Sequence, residues 1–131
     1  MINFNLPQHE WQKDMDIILQ NVSLGKIDFF SANSILFCFT DTYNGDDSIN
    51  LICDNVWKHC GEYCFEDEDD FPIFIGDVRT LKLTNSLDVK SAFDYFNYSF
   101  GIPKGKAYNL VCIDSGDISV QLVCETVSMK R

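Results

Sequence analysis

The sequence predicts an α+β domain: an antiparallel β-sheet of about six strands with one or two helices packed on one face. The chain of 131 residues is 46% hydrophobic and 14% aromatic, which is enough for one packed core. Short apolar runs separated by turn-forming residues are typical of antiparallel strands. Residues 87–100 instead carry apolar side chains at helical spacing. We therefore expect a single globular domain spanning residues 1–131.

The N-terminal segment is compatible with two structures. After Pro7, apolar residues recur at helical spacing, and this pattern predicts a helix over residues 8–20: Trp11, Met15, Ile18, Leu19 and Val22. The competing prediction is a strand that begins near Ile17, because the β-branched residues of this segment also suit a sheet.

The next segment contains two short predicted strands, residues 26–30 and Ser34–Asp41. Asn44-Gly45 is the preferred dipeptide of a two-residue type I′ turn, so the second strand should form a hairpin with its successor. Closing the hairpin on this dipeptide predicts three opposed pairs: Cys38 with Leu51, Leu36 with Cys53, and Thr40 with Ile49. Residues 57–64 show no clear period and are consistent with either a continued strand or a loop.

Residues 71–83 predict a long strand that begins through Pro72 and is interrupted by a bulge at Gly76. The helix over residues 87–100 follows, and Gly101 suits the position just beyond its end. One stripe of this helix is apolar and should pack on the sheet: Val89, Ala92, Phe93, Phe96 and Phe100.

Residues 107–127 predict a C-terminal hairpin that turns at Ser115-Gly116. This turn pairs Ala107 with Cys124, Asn109 with Leu122, Val111 with Val120, and Ile113 with Ile118. The face carrying those residues is apolar, whereas the opposite face should be half exposed. Cys112 and Cys124 fall on opposite faces, so we expect both to be free thiols.

The charge of the chain argues for some partners and against others. Its net charge is −10, which disfavours nucleic acid and favours a basic partner protein. The candidate partner-binding residues form two acidic groups: Asp46 and Asp47, then Glu66, Asp67, Glu68, Asp69 and Asp70. Solvated surface is the alternative reading of both groups. The absence of a signal-peptide pattern and of a membrane-length apolar run predicts a cytoplasmic protein without membrane contact, whose cysteines are reduced.

Residues with catalytic or metal-binding chemistry do not form a recognisable pattern. The best metal-binding candidates are Cys53, His59, Cys60 and Cys64, but they lack a Cys-x-x-Cys spacing. A Cys–His pair built from Cys60 with His9 or His59 has no catalytic signature around it. We therefore assign no catalytic, cofactor-binding or metal-binding residue, and we expect a protein that is not an enzyme.

Four segments follow one another along the chain: LQNVSLGKIDFF, SILFCFTD, an acidic loop and YNLVCIDSGDISVQLVCETV. A chain with this order of segments resembles the small acidic, sheet-rich immunity proteins encoded beside bacterial polymorphic toxins, including YxiG-like proteins. The resemblance implies a cytoplasmic protein that neutralises a toxin, such as a nuclease, by binding it. Two alternatives stay open. One is a small enzyme or ligand-binding domain with a pocket between helix and sheet, and the other is a zinc-stabilised structural module.

Overall fold

The computed structural model describes residues 15–41, 47–63, 72–98, 101–102, 106–115 and 118–131. In these ranges the chain forms six strands and one helix: β1 (Asp16–Ser31), β2 (Ser34–Asp41), β3 (Asp47–Tyr63), β4 (Ile73–Leu83), α1 (Ser86–Tyr95), β5 (Tyr108–Asp114) and β6 (Ile118–Lys130). All strand pairs are antiparallel, which confirms the predicted sheet. The strands close into a barrel in the order β1-β2-β3-β6-β5-β4.

The interior of the barrel holds the larger of two cores. Inward-facing side chains alternate along the strands, as the period of a pleated strand requires. They include Phe37 and Phe39 from β2, Leu51 from β3, and Leu122 from β6, all at most 1% exposed. Burial of these large apolar side chains is the main stabilising contribution that the barrel makes.

A second core lies outside the barrel, under α1. Phe93 and Phe96 of the helix region pack with Tyr108, Leu110 and Val123 of β5 and β6. The C-terminal hairpin is therefore buried on both faces, and the expectation that one face is half exposed is wrong over most of its length. Only the end of that face stays exposed to solvent, because α1 does not cover it.

The helix α1 is flanked by two asparagines, the N-cap Asn85 and, beyond the C-cap Phe96, Asn97. The backbone N–H of Asp88 donates to the Asn85 side chain at 2.8 Å, which is a typical N-cap. Asn97 adopts the left-handed conformation with φ of 54° just after the helix. Gly101 is thus not the terminating residue, and the helix is shorter than predicted. Its buried residues Ala92 and Phe93 confirm the predicted stripe, while Phe100 lies outside the described residues.

The strand near Ile17 is the correct alternative for the N-terminal segment. Ile17 pairs with Arg79 and Leu19 with Val78, so residues 16–20 belong to β1 rather than to a helix. A register shift between Ile17 and Leu19 produces the uneven spacing that resembled a helical period. The rest of the predicted helix, residues 8–14, lies outside the described residues.

The β2–β3 hairpin is shifted by one residue from the predicted pairing. Phe37, not Cys38, is opposite Leu51. The closing pair is Asp41 with Asp47, which leaves five intervening residues instead of two. A one-residue shift in register moves every side chain of a strand to the opposite face of the sheet, so the face predicted for Cys38 was wrong. Asn44 and Gly45 lie outside the described residues.

The C-terminal hairpin is shifted by two residues, with Val111 opposite Leu122. A shift of two preserves the faces. Cys124 therefore lies in the barrel core and Cys112 in the helix-side core, which confirms that they are on opposite faces. The predicted bulge at Gly76 is wrong, because the register of β4 with β1 continues past it unchanged.

Candidate functional site

Of the predicted acidic residues, the structure describes Asp47 alone. Asp47 is exposed at the start of β3, opposite Asp41. Asp46 and the run Glu66, Asp67, Glu68, Asp69 and Asp70 lie outside the described residues. In the sequence, that run follows the end of β3, which is 17 residues long. The two acidic groups are therefore separated along the chain by this strand.

One end of the barrel, which we call the turn end, gathers the features of most interest. Because neighbouring strands are antiparallel, the ends of β1, β3 and β5 lie here together with the starts of β2, β4 and β6. The acidic run falls in the sequence between the end of β3 and the start of β4. Both of those strand ends belong to the turn end.

The β1–β2 turn is fastened to the middle of β3 at this end. The backbone N–H of Val56 donates to the Asn33 carbonyl at 2.8 Å, and the Asn33 side-chain amide donates to Asn55 at 3.0 Å. The Ser34 hydroxyl donates to Asp54 at 2.8 Å. Asn55 has φ of 54°, a left-handed conformation that asparagine tolerates better than most residues. These contacts fix the position of the turn against β3.

A cleft of about 240 Å³ lies between this turn and β3, and His59 is one of its lining residues. The His59 ring lies 5.7 Å from the Phe29 ring. Burial lowers the pKa of His59 below its ordinary value, so the imidazole is neutral at neutral pH. Among the described residues, its Nε2 has no hydrogen-bond partner. This nitrogen is buried, and it activates no described nucleophile.

A neighbouring cleft of about 400 Å³ is built around Trp57 and Glu125. The indole N–H donates to Glu125 at 3.0 Å, and Lys106 approaches the other carboxylate oxygen at 3.3 Å. The Trp57 ring contacts Tyr98 and Tyr108 edge to face, with centroid distances of 6.4 and 6.1 Å. Since two donors already satisfy the carboxylate, its role here is to hold Trp57 against the helix-side core.

Three aromatic side chains of the described residues are strongly exposed, and the register of β1 with β4 places Phe74 opposite Ser23, six residues along β1 from Phe29. Phe29 is 60% exposed and Phe30 is 51% exposed at the end of β1, and Phe74 is 61% exposed near the start of β4. The large exposed aliphatic side chains lie elsewhere, for example Met129 near the end of β6. Sequence reasoning missed this group. The available signal was the doublet Phe29-Phe30, because adjacent strand residues point to opposite faces and cannot both face one core.

A polar cluster lies on the outer face beyond the helix. Asp77 is opposite Asp114, and Arg79 donates to Asp77 at 3.0 Å. The Ser119 hydroxyl donates to Asp114 at 3.1 Å. Burial, with a smaller contribution from Asp77, raises the pKa of Asp114, against the opposing effects of Ser119 and Arg79. Burial also raises the pKa of the neighbouring Cys112 thiol to about 12, so that thiol is a poor nucleophile.

The four residues considered for a metal site are not brought together in the described part of the chain. Cys53 is fully buried in the barrel interior, whereas Cys60 packs against the helix-side core. His59 lies in the cleft, and Cys64 is outside the described residues. No group of three or more His, Cys, Asp or Glu residues within the described ranges could hold a metal ion.

Comparisons with known proteins agree with this fold. A crystal structure of an uncharacterized protein from Neisseria gonorrhoeae is similar to the chain, with a TM-score of 0.59 and 25% sequence identity, covering 89% of this chain and 97% of that one. No curated protein matches the chain. In the described residues, α1 is too short to cross a membrane, and no other helix is present there that could do so. A family model with the description "-like" matches residues 17–131, so the chain belongs to that family.

Proposed function

We propose that this protein binds a basic partner protein through the turn end of the barrel and carries out no chemistry of its own. The observation that carries the proposal is the pair of adjacent exposed aromatic side chains at that end, Phe29 and Phe30. Immunity to a toxin, by covering the toxin's functional surface in the cytoplasm, is the form of binding that the sequence resemblance favours.

The aromatic group would contribute directly to affinity. A Phe side chain gains about 1.5–3 kcal/mol when it is fully buried from water. Since Phe29 and Phe30 are 60% and 51% exposed, docking that covers them should gain about 1–1.5 kcal/mol each. Aromatic residues are enriched in the buried centres of protein interfaces. Exposed polar or small residues at these positions would offer no such gain.

The charge of the chain supports a basic partner. The net charge of −10 attracts cationic proteins over a distance and speeds their association. In the sequence, the acidic run falls between the end of β3 and the start of β4. Charge would then steer the encounter, and aromatic burial would slow release.

The experiment is stopped-flow association with the product of the neighbouring gene. Replacing Phe29 and Phe30 together by Ala should speed release roughly 30- to 150-fold and leave the association rate nearly unchanged. The matched control is Met129→Ala, which truncates a 46% exposed side chain at the opposite end. Equal release rates for the wild type and the Phe29/Phe30 variant would overturn the aromatic part of the proposal.

The charge is tested in the same assay by neutralising Glu66, Asp67, Glu68, Asp69 and Asp70 together as Gln or Asn. We expect this variant to associate more slowly and to lose most of the dependence of the association rate on salt. A salt-independent association rate for the wild-type protein would contradict electrostatic steering.

A small-ligand-binding domain is the second candidate, and the unpartnered Nε2 of His59 in the cleft is the observation that favours it. A ligand that donates a hydrogen bond to this atom would shift the His59 imidazole resonances in NMR spectra. Screening a library of small polar compounds would test this, with His59→Phe as the control. Resonances that stay unchanged throughout would remove the support for this candidate.

A further inference from the structure

The two neighbours of β3 do not extend equally far along it. The pairing with β2 runs as far as Cys53, opposite Ile35, whereas the pairing with β6 continues to Tyr63. Within the part of the chain that the structure describes, residues 58–63 therefore have a ladder partner on one side only. We call this segment the β3 edge. An open strand edge presents backbone donors and acceptors that can pair with another strand.

The outward side chains of the β3 edge alternate in charge. Lys58, Cys60 and Glu62 pair in register with Val123, Gln121 and Ser119 of β6, which places the three on one face. Both charged residues act electrostatically on the pKa of Cys60, Lys58 lowering it and Glu62 raising it, which agrees with this placement. The edge thus carries a positive, a neutral and a negative position in order.

We propose that two copies of this protein form a symmetric dimer by antiparallel pairing of their β3 edges, centred on Cys60. This register places Lys58 of each copy opposite Glu62 of the other. The barrels then share a continuous sheet across the two-fold axis.

The order of charges is the reason for choosing a second copy as the occupant. A two-fold axis brings a surface against itself, so the surface must be complementary to itself. Opposite charges at equal distances from Cys60 satisfy that requirement, and opposed pairs of this kind stabilise antiparallel sheets. Shifting the register by two residues in either direction leaves Lys58 opposite a cysteine, which is uncharged. Only the Cys60-centred register pairs both charges.

The β1–β2 turn limits how far an incoming strand can extend, because the Asn33 carbonyl already accepts from the backbone N–H of Val56, just before the β3 edge. Lys58 lines the open cleft of about 240 Å³ between the β1–β2 turn and β3, so Glu62 of the second copy can reach it from solvent. Each copy carries a net charge of −10, and this repulsion opposes dimer formation over a distance. Added salt screens that repulsion, so dimerisation should strengthen as ionic strength rises to about 0.15 M. Binding of a basic partner has the opposite salt dependence, so the two processes can be distinguished.

Analytical ultracentrifugation of the purified full chain over a concentration series tests the proposal. We expect a monomer–dimer equilibrium for the wild type. Lys58→Glu and Glu62→Lys should each weaken the dimer at least tenfold, because each places like charges opposite one another twice. The double variant carrying both changes should restore it, since the charges are then exchanged but still complementary.

Circular dichroism of each variant shows whether it folds. A wild-type protein that stays monomeric at every concentration would overturn the proposal, whether or not it binds another protein. A dimer that is indifferent to the two single charge reversals, or that the double variant fails to restore, would also overturn it.

Discussion

Truncation of Phe93 should remove much of the attachment of α1 to the barrel. Phe93 is fully buried in the helix-side core. Its ring contacts Tyr98 and Tyr108 edge to face, at centroid distances of 4.8 and 5.2 Å. Replacing a buried Phe by Ala typically costs about 3–5 kcal/mol, combining lost transfer free energy with the cavity that remains. Domains of this size are stable by about 5–15 kcal/mol in total, so Phe93→Ala should lose a large fraction of the unfolding free energy.

Urea unfolding measures this loss, followed by circular dichroism and by tryptophan fluorescence. Trp57 is a useful reporter because its ring contacts the same Tyr98 and Tyr108 that pack on Phe93. The matched control is Leu87→Ala on the same helix, whose side chain is 72% exposed. We expect the control to change the unfolding free energy by no more than about 0.5 kcal/mol.

A loss below about 1 kcal/mol for Phe93→Ala would refute the reasoning, because truncation of a packed core residue of this size costs more. Similar urea midpoints for Phe93→Ala and Leu87→Ala would show that the buried face of α1 is not the one bearing Phe93. A lower midpoint for Leu87→Ala than for Phe93→Ala would contradict the helix orientation outright.

Two further predictions concern pH. Burial lowers the pKa of His59 from 6.5, so the unfolded chain binds the proton more readily than the folded chain does. Stability should therefore fall as the pH drops below about 6.5. In His59→Phe, the thermal unfolding temperature should depend less on pH between pH 5 and 8 than it does in the wild type. Equal slopes for the two proteins would show that His59 is not buried in solution. The pH dependence that Asp114 contributes to stability has the opposite direction. Its pKa is raised from 3.8, so the folded state holds the proton more readily, and stability is lost as the pH rises through the pKa of the folded state. Asp114→Asn keeps an acceptor for Ser119 and should therefore be at least as stable as the wild type at pH 7 by urea unfolding; a clear loss would indicate that the charge itself is required.

Local patterns were sufficient for the elements whose signals lie within a short stretch of chain. The apolar stripe at Ala92, Phe93 and Phe96 identified the buried face of α1, since a helix repeats its contacts every three to four residues. The apolar alternation of the C-terminal hairpin likewise placed Cys112 and Cys124 on opposite faces. Its register was still wrong by two residues, because apolar alternation is unchanged by a shift of two.

The N-terminal segment and the β2–β3 hairpin show where local patterns fail. A bulge between Ile17 and Leu19 changed the spacing of β1 so that it imitated a helix. In the hairpin, both faces of β2 are rich in apolar residues, so the sequence could not choose between Phe37 and Cys38 as the inward residue. The loop length made that choice, since five residues separate Asp41 from Asp47.

The candidate site depended on contacts between distant parts of the chain. The sequence by itself determined the net charge, the acidic run and the presence of a Phe29-Phe30 doublet. The tertiary structure decided that the β1–β2 turn beside that doublet is fastened to the middle of β3, away from Asp47 at the start of this strand. It also determined that β6 extends further along β3 than β2 does, which leaves residues 58–63 paired on one side in the described structure. The pairing of β3 with β6 joins residues about 70 positions apart in the sequence. Such pairing follows from the combined packing of all six strands, and no short sequence pattern can specify that packing.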